Sequence, residues 1–140
     1  MQAALPQAEI PTTKVQAQFA AVAPAMRSAK DIHVAACAHA VLAGSYCPNA
    51  TVVNLVTKNV RDFRVRKLAA LGIEVMHPDA FLLTLFEQNP ASVAAAFASL
   101  RGTLRSAPAP DQLLARLAAD GQVLTAAAML NSWRQGAVHC

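Results

Sequence analysis

Aromatic side chains and charge are both scarce in this sequence. One Trp, one Tyr and five Phe stand among 140 residues, and 14% of positions are charged against 55% hydrophobic. That balance excludes an intrinsically disordered chain, and the length suits one ordinary domain with a sizeable core. Alanine fills the place the aromatics leave, which favours helices packed at close range. The apolar excess points to surface for a partner to cover. Negative charge is the scarcer sign: eight acids face twelve Lys and Arg, for a formal charge of +4. A pI near 9.3 permits an anionic partner.

Paired cysteines and phosphate-loop glycines are missing too. Cys37, Cys47 and Cys140 form no C-x-x-C motif and cannot all be paired, which suits a reducing cytosol. Five scattered glycines build no phosphate-cradling loop. The opening residues MQAALPQAEIPTTK lack the charged and apolar regions of a secretory signal. No apolar run approaches the ~20 residues of a membrane helix. The expectation is a soluble, cytoplasmic protein with no membrane partner.

What remains is mostly helical punctuation around a short α/β passage. Residues 1–13 carry Pro6 and Pro11 without periodicity and read as an irregular lead-in. Thr13 is placed to cap a helix running to Met26, with Pro24 ending or kinking it. Asp31 opens a second helix, apolar almost all round, that stops at Gly44. Thr51–Thr57 is β-branched and reads as a buried strand; RVRKLAALG is a short helix and IEVM a second strand. Strand, helix, strand implies a parallel pair. From Pro78 onward the pattern is helical, with Pro78 and Pro90 at first helical positions, Asp111 opening a further helix, and VLTAAAMLNSWRQ the last. The organisation expected is a lead-in over 1–13, an α/β part over 14–77, and a helical tail over 78–140 packed on it.

One segment concentrates the chemistry: LVTKNVRDF, Leu55–Phe63. A strand ends at Thr57, and a tight polar loop presents Asn59 and Asp62 before Phe63 returns to the core. Ligands of open α/β sheets bind at strand C-terminal ends. A carboxylate there can hold a divalent metal while neighbouring cations hold a phosphate; equally, Asp62 can serve as a cap for the turn that follows. Lys58, Arg61, Arg64, Arg66 and Lys67 put five of the twelve basic residues into ten positions. Such a cluster is either a solvated face or a phosphate-contacting patch. His33 and Cys37 share a helix face at zinc-ligand spacing, but no second pair accompanies them.

The pattern DIHVAACA from Asp31, then a strand, then TKNVRDF, resembles the PIN-domain nucleases of the VapC toxin type. The matching positions are Asp31, Val34, Ala35 and Ala36, then Thr57, Asn59, Asp62 and Phe63. The stretch LGIEVMHPDAFLLTLFEQNPASVAAAF also resembles a PIN subfamily, and the likeness runs roughly from Lys14 to Asn131. It implies part of an α/β/α sandwich around a parallel sheet, here with two short parallel strands and a helical C-terminal tail, mostly helical overall. It further implies metal-dependent cleavage of RNA. Asp31 and Asp62 become metal carboxylates for Mg2+ or Mn2+, Thr57 and Asn59 polar neighbours orienting the metal-bound water, and the basic cluster the RNA-facing rim. The sequence departs from the family in having no N-terminal Asp-bearing strand and no further acid before Asp31 other than Glu9. An incomplete site is therefore expected, and an inactive PIN remnant acting as a binding or dimerisation module is the alternative. The partners implied are RNA, an antitoxin, and a second copy pairing at an open edge of the Thr51–Thr57 strand.

Overall fold

A computed structural model describes residues 9–44 and 46–139; most of the lead-in, Ser45 and Cys140 lie outside the described residues. The chain divides into two units, Met1–His77 and Pro78–Cys140, each with its own apolar core.

In the first unit, the single helix expected up to Met26 is broken into three pieces. Helices α1 (Thr12–Gln16) and α2 (Phe19–Val22) are followed by a 3-10 turn over Ala23–Ala25. Pro24 has no N–H to continue an α-helical ladder; Val15, Phe19 and Val22, spaced i, i+4 and i+7, pack on one core. That core is organised on α3 (Ile32–Ala43), where Ala35, Ala36, Ala38 and Ala40 are buried. Methyl side chains let the neighbouring backbones approach closely.

Strand β1 (Val53–Val56) and strand β2 (Ile73–Met76) pair in parallel, in register from Val53 opposite Ile73 to Val56 opposite Met76. Leu55 and Ile73 point into the core and Asn54 and Glu74 into solvent, the period-2 pattern of a half-buried sheet. Helix α4 (Val65–Ala69) connects them and buries Leu68 completely. Gly72 closes the connection at φ +76, where its carbonyl accepts the Val53 N–H at 2.9 Å. A Cβ there would lie 2.7 Å from the Thr51 carbonyl oxygen. The described residues are thus mostly helical with two short parallel strands, consistent with the α/β class.

The second unit is four helices: α5 (Pro78–Gln88), α6 (Pro90–Thr103), α7 (Pro110–Ala119) and α8 (Val123–Arg134). Three begin on proline, whose fixed φ suits the first turn and whose missing N–H is not needed there. Helix α7 consequently starts at Pro110, one residue before the expected Asp111. Asn89 caps α6 by accepting the Ser92 N–H at 3.1 Å, and the Gln112 side chain accepts the Ala109 N–H at 3.3 Å. Phe86, Phe97, Leu114 and Met129 form the core. Helix α8 has no cap of its own; Asp79 supplies one from α5. Asp79 is 6% exposed, and its carboxylate accepts the N–H groups of Leu124 and Thr125, each at 2.9 Å, and the Thr125 hydroxyl at 2.8 Å. Among the described residues no helix is long and apolar enough to cross a membrane.

Candidate functional site

The loop after β1 is built by its own backbone. The Thr57 N–H donates to the Met76 carbonyl at 2.9 Å and carries the parallel ladder one residue past the strand. The Thr57 hydroxyl accepts the Asn59 N–H at 3.1 Å, a side-chain turn that bends the chain sharply. Val60–Asp62 then form a single 3-10 turn, with the Asp62 N–H donating to the Asn59 carbonyl at 3.0 Å. Thr57, Asn59 and Asp62 are thereby gathered into one short loop at the C-terminal end of β1.

A second contact fastens this loop to the segment that leads into Asp31. Met26 and Phe63 form an isolated antiparallel bridge. On either side of it the Arg27 N–H donates to the Asp62 carbonyl at 2.9 Å, and the Arg64 N–H to the Ala25 carbonyl at 2.8 Å. Met26 and Phe63 are 8% and 3% exposed. Arg27 is exposed and Asp62 half-buried. The Arg64 guanidinium folds back to donate to the Pro24 carbonyl at 3.3 Å.

Asp31 ends a 3-10 turn over Ala29–Asp31 and occupies the cap position of α3. Its side chain makes no capping hydrogen bond. Its Oδ2 is buried and has no hydrogen-bond partner among the described residues. Asp62 is not a cap either, since the residue at the cap position of α4 is Arg64. The reading of both acids as helix caps therefore fails on the geometry. A buried, unpartnered carboxylate oxygen is costly unless a donor or cation meets it.

The basic residues Lys58, Arg61, Arg64, Arg66 and Lys67 are all exposed. Charge is unevenly shared: the first unit holds eight of the twelve Lys and Arg and four of the eight acids, so the whole formal +4 resides there. Among the described residues no group of three or more His, Cys, Asp or Glu is placed to hold a metal. That leaves His33 and Cys37 without the partners zinc requires. His39 instead bonds through Nδ1 to the Gln18 side chain at 2.8 Å.

Two residues of consequence carried no clear sequence signal. Arg27 enters this loop only through the Met26–Phe63 bridge. Asp79 sits in the first turn of α5, where its acid reads as local, while its bonds go to residues 45 and 46 positions away.

Residues 78–131 match the family model of the VapC50 C-terminal domain. The match supports a VapC-type, PIN-toxin C-terminal part over those residues. No curated protein and no solved structure matches the chain.

Proposed function

Given a VapC-type C-terminal part, a family-level pointer to toxin–antitoxin ribonucleases, we propose that the protein is a metal-dependent endoribonuclease of PIN architecture. Asp31 and Asp62 hold Mg2+ or Mn2+, and the basic face of the first unit holds RNA. The observation that carries this reading is the Asp31 Oδ2, shielded from water and without a hydrogen-bond partner among the described residues. It lies at the end of a segment bridged to the loop of Asp62. Two carboxylates fit such an ion, because Mg2+ keeps several waters and is completed by substrate phosphate oxygens rather than by an all-protein cage. When bound, the ion supplies an acidified water and neutralises phosphate charge.

The chain's own residues do the rest. Asp31 and Asp62 hold the negative charge that fixes the cation at the C-terminal end of β1. The Thr57 hydroxyl, locked by the Asn59 N–H, still has its proton to donate to a carboxylate or phosphate oxygen. The Asn59 amide adds both a donor and an acceptor at the same loop. Lys58, Arg61, Arg64, Arg66 and Lys67 attract and retain the phosphodiester chain. In this reading β1 and β2 belong to the parallel sheet of a PIN α/β/α sandwich, and an antitoxin is the partner that restrains the enzyme.

The test pairs cleavage with metal binding. Purified protein with Mn2+ should cleave RNA, and Asp31→Asn or Asp62→Asn should abolish cleavage. Mn2+ should also raise the melting temperature of the wild type, with affinity in roughly the millimolar range. Stabilisation reaches about 1.4 kcal/mol at ten times the dissociation constant and should be absent from both variants. A wild type that neither melts higher in Mn2+ nor cuts RNA refutes the proposal. Stabilisation by Mn2+ without cleavage would instead support the binding-module alternative.

A further inference from the structure

The bridge between Met26 and Phe63 joins two stretches that the sequence keeps far apart. The first, Arg27–Asp31, carries Arg27 and Lys30; the second, Lys58–Lys67, carries the recognised basic cluster. Arg27 lies beside Asp62, its N–H donating to the Asp62 carbonyl at 2.9 Å, and is exposed. Lys30 follows within the exposed part of the 3-10 turn that ends at Asp31. Both cations are therefore delivered by one backbone segment to the neighbourhood of the two acids, and both are exposed.

We infer that Arg27 and Lys30 are phosphate-contacting residues of the nucleic-acid surface, which spans the bridge instead of ending at the Lys58–Lys67 stretch. Within residues 24–34 and 57–68 the only Phe, Tyr or Trp is Phe63, and it is buried at 3% exposure. A surface without an exposed aromatic ring offers bases nothing of that kind to stack on, so binding energy comes from phosphate contacts. Arg27 has the further task of holding a phosphate beside Asp62, where a planar guanidinium can grip two phosphate oxygens at once. Recognition on this surface is consequently tolerant of base sequence and steeply dependent on salt. The inference rests on the ribonuclease reading for its choice of RNA as the polyanion.

The test is binding of short, labelled single-stranded RNAs of two unrelated sequences, followed by fluorescence anisotropy in EDTA across a salt series. EDTA keeps the RNA intact and separates binding from catalysis. Wild type should bind both sequences alike. Each lost phosphate contact lowers the slope of log affinity against log salt by about 0.7. Arg27→Ala with Lys30→Ala should reduce it by about 1.4 for both sequences, and Arg27→Lys with Lys30→Arg should keep it near wild type. Arg116→Ala with Arg134→Ala, in the second unit, should leave it unchanged. Both target residues are exposed, and circular dichroism checks that the variants remain folded. A wild-type slope in the Arg27 and Lys30 double variant, with loss of slope on Arg61→Ala and Arg64→Ala, would overturn this inference and leave the ribonuclease reading standing. Failure of the wild type to bind RNA would overturn both. Binding to anionic phosphatidylserine vesicles in place of RNA would do the same and reassign the face to a membrane surface.

Discussion

Replacing Asp79 by alanine removes the side chain that caps α8 and should destabilise the second unit by about 3 kcal/mol. The carboxylate accepts two backbone N–H groups at 2.9 Å and the Thr125 hydroxyl at 2.8 Å. Hydrogen bonds to a charged group contribute about 1.5–3 kcal/mol each, and a negative charge at a helix N-terminus adds up to ~2 kcal/mol. One side chain supplies all of them, so they do not add. Removing a buried charge also relieves its desolvation. What remains is the cost of leaving the N–H groups of Leu124 and Thr125 without their acceptor, where Thr125 is 2% exposed. For a small domain ~3 kcal/mol corresponds to a fall in melting temperature of about 12–24 °C. Trp133 is the sole tryptophan and packs on the core of this unit, so its fluorescence in a urea titration reports this unit. Asp79→Asn should lose about 1–2 kcal/mol, because one oxygen acceptor survives. A cycle of Asp79→Asn with Thr125→Val should show coupling above ~0.5 kcal/mol. An Asp79→Ala variant within ~0.5 kcal/mol of wild type, with an additive cycle, would refute the reasoning.

Two glycines give opposite expectations by the same logic. Gly72→Ala forces a methyl to within 2.7 Å of the Thr51 carbonyl at φ +76 and should destabilise the first unit by about 2 kcal/mol, seen as faster hydrogen exchange across β1 and β2. Gly102 lies in α6 with open space where a Cβ would be, so Gly102→Ala should stabilise by about 0.5–1 kcal/mol and raise the midpoint of the Trp133 transition; a lower midpoint would contradict it.

The sequence by itself determined what depends on neighbours along the chain. Pro78 and Pro90 start their helices because a fixed φ and a missing N–H act within one turn. β-Branched Val53 and Val56 and the Ile73–Met76 run form strands because their side chains suit a pleated surface. The Thr57–Asn59–Asp62 loop was legible as polar residues crowded between a strand end and a returning Phe63. Only the tertiary structure decided what depends on chain segments meeting. The helix expected up to Met26 is broken at Ala17 and Gln18, a break that no residue type there announces. Asp31 looks like a helix cap in sequence, yet its carboxylate makes no cap, a difference set by burial rather than by residue type. Arg27 joins Asp62, and Asp79 joins Thr125, across separations of 35 and 46 residues. No local propensity encodes such pairs; they form because closing each loop is offset by the core that folding builds around it.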